Sequence, residues 1–275
     1  MNILSKYKFS DVISEPFPHI ILEEVFPEDC YSKLSSNYPD KTILKKHKTN
    51  LQPNQRIQIS SVDIERDFSL DSSWRECYEN NTNEEFYDDF LRLFQGFLEK
   101  YYGKTNKERL VNYKSLGRRG LSENDINLDF QPGINTPPQK LLSKTVRGPH
   151  IDNPKEIYAG LVYFRTNKDS SSGGDLEVCS LRKDMEIYGK MEIPRSKVKV
   201  EKILKYKENS GIFFLNTPFS IHSVTNRTYT KESRKLLNII GEANSPLFQI
   251  NRSKSFSSKL KRKFYQAQAS LGFNL

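Results

Sequence analysis

The chain has little cysteine: only three of its 275 residues are Cys, and Cys30, Cys77 and Cys179 lie far apart. A disulfide framework would need an even set, and a cysteine zinc site would need closely paired positions. A reducing interior is therefore favoured. The chain also lacks an apolar run near the roughly 20 residues of a membrane helix, and its first eight residues lack the apolar segment of a signal peptide. We expect a cytoplasmic protein without a membrane span.

The charge is unbalanced, with a formal net charge of +9. An excess of this size is typical of proteins that bind an anionic partner such as nucleic acid, a phosphorylated glycan or a membrane surface. It also arises from lysines on a solvated surface. The basic residues are spread along the chain and cluster clearly only in residues 251–275, which favours the solvated surface. Nucleic acid is therefore not the favoured partner.

Histidine is also scarce, and the four residues are His19, His47, His150 and His222. His150 is two positions from Asp152, and in an extended strand such positions point to the same face. An imidazole and a carboxylate on one face are two ligands of a facial triad for Fe(II). His222 follows a strand-like run and is the natural third ligand. His19 has no second ligand near it, and the lysines around His47 disfavour a bound cation.

Several spaced features surround this pair. An apolar strand at 158–164 and a Ser/Gly turn at 170–175 follow it, and then come an apolar run at 212–215, His222 and a strand at 234–242 that Arg234 opens. This order resembles the iron(II)/2-oxoglutarate-dependent oxygenase superfamily over residues 125–245. Residues 153–156 resemble uncharacterised microbial branches more than the prolyl hydroxylases. The resemblance implies an α+β, mainly β chain with a double-stranded β-helix (jelly-roll, cupin-like) core braced by N-terminal helices.

The resemblance also implies a chemistry. His150, Asp152 and His222 would hold Fe(II) and leave three positions for 2-oxoglutarate and O₂. Decarboxylation of 2-oxoglutarate to succinate and CO₂ would drive hydroxylation of an unactivated C–H bond. Halogenating relatives lack the carboxylate, so Asp152 favours hydroxylation, with desaturation and ring chemistry still open. Asn216 and Ser220 are candidates for orienting a ligand from behind.

Arg234 matches the position of the basic residue that binds the far carboxylate of 2-oxoglutarate in this superfamily. The alternative is that Arg234 forms a surface salt bridge. Arg227 and Lys231, which lie in a predicted loop, are the other candidates for binding this carboxylate. Tyr163 could donate its hydroxyl to the same carboxylate, or it could be a core tyrosine. Asn238 shares a strand face with Arg234 and is a further candidate for the cosubstrate site.

The N-terminal part of the sequence is predicted to form a strand and helices that support this core. We expect a first strand within 16–26 that joins the main sheet, a helix from Pro27 to about Tyr38, and a helix over 86–102 that ends at Gly103. A charged connection should span 104–124. Polar and apolar residues alternate over 127–131, so Asn127, Asp129 and Gln131 share a face that lines either the pocket or solvent.

Turns and loops complete the prediction. Pro132–Gly133 should form a turn, 198–204 a strand, and 209–211 a tight hairpin turn. We expect one domain over 1–275: N-terminal support in 1–124, the catalytic core in 125–245, and a basic tail or helix in 246–275. Loops 39–60, 132–146 and 182–207 should set the specificity, with Arg147 at one rim of the site.

The substrate is less defined than the metal site. Lysines in these loops hint at an anionic substrate, and a small molecule or a group on a biopolymer would fit. Two other classes of function stay open. The chain could be a non-catalytic jelly-roll scaffold whose basic tail binds a polyanion, or a cupin-like enzyme that uses another metal without 2-oxoglutarate.

Overall fold

The computed structural model describes residues 1–46, 51–67, 69–139, 147–182 and 191–249. Predictions about His47 and residues 251–275 lie outside them. The described strands are β1 (His19–Leu22), β2 (Arg56–Gln58), β3 (Leu116–Arg118), β4 (Ile126–Asn135), β5 (Glu156–Tyr163), β6 (Leu176–Leu181), β7 (Val198–Leu204), β8 (Ser210–Leu215), β9 (His222–Val224) and β10 (Arg234–Ala243). The α-helices are α1 (Glu28–Ser36), α2 (Asp40–Lys46), α3 (Ser61–Arg66), α4 (Ser72–Asn80) and α5 (Glu84–Val111).

The strands form two sheets. The larger has the order β1-β8-β5-β10-β4-β2, with β3 beside β4, and the smaller has the order β7-β6-β9. A bridge between His150 and His222 extends the smaller sheet. From β4 onward the chain passes between the two sheets repeatedly, and the antiparallel neighbours in the larger sheet come from distant parts of the sequence. This winding is that of a double-stranded β-helix, so the predicted α+β, mainly β fold class is confirmed.

The outer face of the larger sheet packs against the helices. Phe90 of α5 lies 4.6 Å from Tyr158 of β5 and Phe94 lies 5.8 Å from Phe213 of β8, measured between ring centroids. Trp74 of α4 lies 5.3 Å from Phe164. Aromatic side chains supply much of this core because each buries a large apolar surface. The inner face of the sheet is therefore left for the cavity.

The N-terminal part also adds strands to both edges of the larger sheet. β1 pairs with β8 at one edge, with His19 opposite Phe214, as the first strand was predicted to do. β2 pairs with β4 at the other edge. No helix among the described residues is long and apolar enough to cross a membrane.

The helix predicted over 86–102 ends at Gly103 as expected, because Gly103 has a non-helical backbone with φ 78° and ψ 166°. A second helical stretch follows at once and continues to Val111, so the prediction of a connection over 104–124 is wrong at its start. The last turns are held because Asn106 donates to the Leu247 carbonyl at 2.9 Å and Leu110 is buried. The predicted connection over 104–124 is therefore helical at its start, and it also contains β3.

The predicted turn at Pro132–Gly133 is also wrong, since β4 runs through both residues to Asn135. Pro132 is tolerated because its carbonyl faces β2, where it accepts from the Ile59 amide at 3.1 Å. Its missing N–H therefore falls beyond the end of β2 rather than in the ladder with β10. The predicted hairpin at 209–211 is corrected as well, because β7 and β8 belong to different sheets.

Candidate metal centre and its cavity

Backbone pairing brings the two histidines together. The His150 amide donates to the His222 carbonyl, and the His222 amide donates to the His150 carbonyl, both at 3.0 Å. Asp152 follows two residues later and is also buried. Its Oδ1 lies 3.6 Å from His150 Nε2, and its Oδ2 lies 3.6 Å from His222 Nε2. The structure thus places the three predicted ligands around one point.

Hydrogen bonds select the same ring nitrogen on both histidines. His150 Nδ1 lies 2.7 Å from the Gly148 carbonyl, and His222 Nδ1 lies 3.0 Å from the Ser220 carbonyl. A carbonyl only accepts, so each Nδ1 carries the proton and each Nε2 presents a lone pair. Burial, followed by the neighbouring His222 and Arg147, holds the pKa of His150 well below its ordinary value. A neutral imidazole is the form that binds a metal.

The three side chains fit one divalent ion. Two atoms that are each about 2.1 Å from a transition metal lie at most about 4.2 Å apart, and both carboxylate–imidazole separations meet this limit. Among the described residues this is the one group of three or more such side chains whose ligand atoms converge, all within 4.8 Å. Two imidazoles and a carboxylate on one side leave the opposite side open, as a non-haem Fe(II) site requires.

Asn216 and Ser220 form hydrogen bonds with the chain segments that carry the metal ligands. The Asn216 amide group donates to the carbonyls of Asn153, at 2.8 Å, and Glu156, at 2.9 Å. Ser220 Oγ donates to Asn216 Oδ1 at 3.1 Å. Asn216 therefore ties the segment after Asp152 to the turn before His222, which is the kind of contact that orients metal ligands.

The metal centre opens into a cavity of about 340 Å³ between the sheets. The predicted residues Arg234 and Asn238 line it, Asn238 donating to Gln131 Oε1 at 3.0 Å. Gln131 also lines the cavity, so at this residue the predicted polar face of the strand is turned toward the pocket and not toward solvent. Asp129 is buried, and its Oδ1 accepts a hydrogen bond from the Ser61 amide. The wall also contains Arg56, Gln58, Arg119, Arg147, Glu156, Ala159, Leu161, Leu176, Phe214, Val224, Leu236 and Ile240.

Arg234 is a buried cation at this cavity. Its Nε donates to the Gly174 carbonyl at 2.9 Å, and its Nη1 donates to Asn135 Oδ1 at 3.2 Å. The guanidinium carbon lies 4.8 Å from the ring centre of Tyr163 and 4.9 Å from that of Tyr206. No carboxylate among the described residues pairs with it. A buried charge without a counter-charge is costly, so an anionic ligand would stabilise this position.

Tyr163 is buried beside Arg234, and its Oη has no hydrogen-bond partner among the described residues. Burial raises the pKa of its hydroxyl, which therefore remains a donor at neutral pH. A buried hydroxyl without a partner is uncommon in native proteins. The predicted role of Tyr163 at the cosubstrate carboxylate remains a prediction, but the structure leaves its hydroxyl free for such a bond.

The rival basic residues do not line the cavity. Arg227 is fully buried elsewhere and pairs with Asp169 through its Nη2, at 2.7 Å. Lys231 is exposed. His19 is buried, with Nδ1 2.8 Å from the Phe17 carbonyl, and is not part of the converging group, in line with a structural role.

Arg56, Gln58 and Arg119 were not predicted to line the cavity as individual residues. Residues 39–60 were expected to form a substrate-facing loop or a simple connection, but they contain α2 and β2, so the loop prediction is wrong there. β2 nevertheless supplies Arg56 and Gln58 to the cavity. The alternation of long polar side chains at 56 and 58 around Ile57 was the available signal for a short strand. Arg147 lies at the cavity, as expected of a rim residue, with its Nη1 3.5 Å from Asp152 Oδ1.

Comparisons with known proteins give distant structural similarity alone. No family model and no curated protein matches the sequence. A Pseudomonas putida prolyl-4-hydroxylase structure is similar, with 11% identity over 82% of this chain and 93% of that chain and a TM-score of 0.48. A Phytophthora capsici prolyl 4-hydroxylase aligns with 97% of this chain and 73% of its own at 13% identity and a TM-score of 0.47. An oxidoreductase of the 2OG-Fe(II) oxygenase family from Burkholderia pseudomallei covers 86% and 88% at 9% identity and a TM-score of 0.43. The chemistry of this chain has to be argued from its own side chains.

Proposed function

We propose that this chain is an Fe(II)- and 2-oxoglutarate-dependent dioxygenase that hydroxylates an unactivated C–H bond of an organic substrate. One observation carries the proposal. The His150–Asp152–His222 group faces the same cavity as the buried Arg234, which pairs with no carboxylate among the described residues. A metal with open positions and a fixed cation in one cavity suit a chelating dicarboxylate.

Each residue has a defined part in this proposal. His150, Asp152 and His222 would hold Fe(II), with both imidazoles fixed by carbonyl bonds at Nδ1. Arg234 would bind the far carboxylate of 2-oxoglutarate, and its planar guanidinium suits a two-point contact. Bound Fe(II) and 2-oxoglutarate would supply the oxidation of the substrate by O₂, with release of succinate and CO₂.

Tyr163 and Asn238 would complete the cosubstrate site. Tyr163 would donate its unpartnered hydroxyl to the carboxylate at Arg234. Asn238 would present its side chain from the inner face of β10, where Gln131 holds its amide group. The apolar side chains of Leu161, Leu176 and Leu236 would keep water away from the reacting carbon.

The first experiment is an anaerobic titration of the purified chain with Fe(II) and 2-oxoglutarate, followed by visible spectroscopy. We expect the weak charge-transfer band of an Fe(II)-bound 2-oxo acid. His222→Ala should abolish the band, and Arg234→Ala should shift the titration to much higher 2-oxoglutarate concentrations. Lys235→Ala is the matched control, because Lys235 points to the other face and pairs with Asp40 at 2.6 Å. It should retain the wild-type band.

The other outcomes separate the alternatives. A folded, iron-loaded chain that gives no band contradicts the dioxygenase. Tight binding of another metal with no response to 2-oxoglutarate would favour a cupin-like enzyme of a different mechanism. A chain that binds no metal and instead binds a polyanion in a salt-dependent manner would favour the scaffold. Once the band is found, succinate release across metabolite mixtures would identify the substrate.

A further inference from the structure

A second arginine lies in the same row of the sheet as Arg234. Arg234 of β10 is opposite Asn135 of β4, and Asn135 is opposite Arg56 of β2. Side chains directly opposite one another in a sheet point to the same face. Arg56, Asn135 and Arg234 therefore all project toward the cavity, and all three line it.

Arg56 makes only part of the hydrogen bonds available to its guanidinium. Its Nε donates to Gln58 Oε1 at 3.0 Å. Gln58 in turn donates to Gln131 Oε1 at 2.7 Å, which anchors the side chain that holds Arg56. No described residue accepts a hydrogen bond from the two terminal nitrogens of Arg56, and no described carboxylate pairs with it. Two donors in a fixed plane are therefore presented to the cavity.

The other cavity arginines outside the proposed cosubstrate site have acidic neighbours. Arg119 Nε lies 2.8 Å from Glu242 Oε2, and its Nη1 lies 3.5 Å from Asp129 Oδ2. Arg147 Nη1 lies 3.5 Å from Asp152 Oδ1. Arg56 differs from both because no carboxylate among the described residues forms a salt bridge with it, and Arg234 lies in the same row of the sheet. Arg56 lines the cavity but is exposed to solvent, so its guanidinium is charged at neutral pH.

The charge of the proposed complex leaves Arg56 without compensation. A divalent metal, Asp152, a doubly charged cosubstrate and Arg234 together carry no net formal charge. The formal charges of Arg119 and Arg147 are matched by those of Asp129 and Glu242. Glu156 also lines the cavity, and burial and then Asp152 raise the pKa of its carboxyl to about 8. A cation that remains at the cavity after the metal and cosubstrate are bound favours a further anion there.

We propose that Arg56 binds a carboxylate or phosphate group of the primary substrate and thereby holds the substrate beside the cosubstrate. This inference rests on the proposed dioxygenase function and assigns its substrate to the class of organic anions. Arg56 would donate from its two terminal nitrogens to two oxygens of the anion. The hydrogen bonds through Gln58 and Gln131 would keep the guanidinium in place before the substrate arrives.

The test uses small anions as probes of the subsite. Acetate and methylphosphonate are titrated separately and anaerobically into the chain loaded with Fe(II) and 2-oxoglutarate, and binding is followed by calorimetry and by shifts of the charge-transfer band. Acetamide serves as the uncharged comparison. We expect at least one of the two anions to bind and acetamide not to bind. The anion that binds more tightly identifies the substrate group.

Variants then assign the subsite to Arg56. Arg56→Gln should weaken anion binding about tenfold or more, since a charged hydrogen-bond donor is lost. Arg56→Lys should recover part of the affinity by keeping the charge. The affinity for 2-oxoglutarate should change little in either variant. Arg118→Gln is the matched control, because Arg118 lies on the neighbouring β3, outside the cavity, and pairs with Glu65.

Failure of this inference is distinguishable from failure of the proposed function. A wild-type chain that shows the Fe(II)–2-oxoglutarate band but binds neither anion overturns the subsite. The subsite is also overturned if Arg56→Gln leaves anion binding unchanged, or if it weakens 2-oxoglutarate as strongly as Arg234→Gln does. In the latter case Arg56 serves the cosubstrate. A wild-type chain without the band overturns the proposed function, and the substrate subsite with it.

Discussion

Arg227 and Arg234 are both buried, lie seven positions apart in the sequence and approach the same glycine, yet their surroundings differ. Arg227 pairs with buried Asp169 at 2.7 Å and also contacts Ser171 Oγ at 3.0 Å. Arg234 contacts only a carbonyl, an amide oxygen and two tyrosine rings among the described residues. One arginine is neutralised within the protein, and the other is held in place without a counter-charge.

This difference separates a structural cation from a binding cation. A buried arginine with its acid contributes to stability through an internal pair, and removing either member leaves an uncompensated charge. A buried arginine without an acid gains its counter-charge only when an anion binds. Arg234 faces the cavity and Arg227 does not. The comparison therefore predicts that changes at the two positions affect different measurements.

The largest expected effect is on stability at the Arg227 site. Arg227→Ala should lower the free energy of unfolding by about 3–5 kcal/mol, because Asp169 is left buried and unpaired. Chemical denaturation of the ligand-free chain measures the change. Lys199→Ala, which breaks the exposed contact with Glu201, is the control and should remain close to wild type. If Arg227→Ala lowers the free energy of unfolding no more than Lys199→Ala does, the distinction between a structural and a binding arginine is contradicted.

At Arg234 the effect should appear in binding. Arg234→Ala should weaken 2-oxoglutarate binding about 100-fold, as expected when a buried charge loses its partner. The ligand-free chain should lose much less stability than Arg227→Ala does. In thermal unfolding, metal with 2-oxoglutarate at 100 times its Kd should stabilise the wild type by about 2.7 kcal/mol. The same concentration should stabilise the variant little. Equal loss of stability in both arginine variants, with normal cosubstrate binding, would contradict this assignment.

Gly174 lies between the two arginines and offers a third test. Its φ is +73°, and an added Cβ would lie 3.4 Å from Arg234 Cδ and Nε and 3.5 Å from Arg227 Cδ. Gly174→Ala should cost about 1–2 kcal/mol of stability from the left-handed backbone. It should also weaken 2-oxoglutarate binding, because the Gly174 carbonyl that orients Arg234 shifts. An unchanged cosubstrate affinity would show that this carbonyl does not position Arg234.

The smallest expected effect is at Tyr163. Tyr163→Phe removes a hydroxyl that has no hydrogen-bond partner in the described part of the chain, so the stability of the ligand-free chain should be unchanged or slightly higher. If the hydroxyl donates to the cosubstrate, the affinity for 2-oxoglutarate should fall about fivefold. Titration of the charge-transfer band measures this, with Tyr206→Phe as the comparison at the other ring beside Arg234. Wild-type affinity in Tyr163→Phe would make Tyr163 a core residue.

Much of the fold was predictable because its signals are local. Apolar runs indicated the strands around 158–164 and 212–215, and the segment opened by Arg234 indicated the strand at 234–242; each lies in the larger sheet. The helix break predicted at Gly103 is present, because glycine adopts a positive φ without a steric penalty. The turn predicted at Pro132 is absent, because the missing N–H of that proline falls where β2 ends. A contact distant in sequence decided the second case.

The sequence by itself determined the types and spacing of the chemistry-bearing residues: a His-x-Asp pair, a later histidine, and a basic residue at the start of a strand. These depend on strand periodicity and are visible over short distances. Only the tertiary structure decided that His222 pairs with His150 and that Arg56 joins the row of Arg234. It also decided that, among the described residues, Arg227 has an acidic partner and Arg234 has none. Partners and register depend on residues far apart in the chain, because sheet pairing and burial bring them together only in the folded protein.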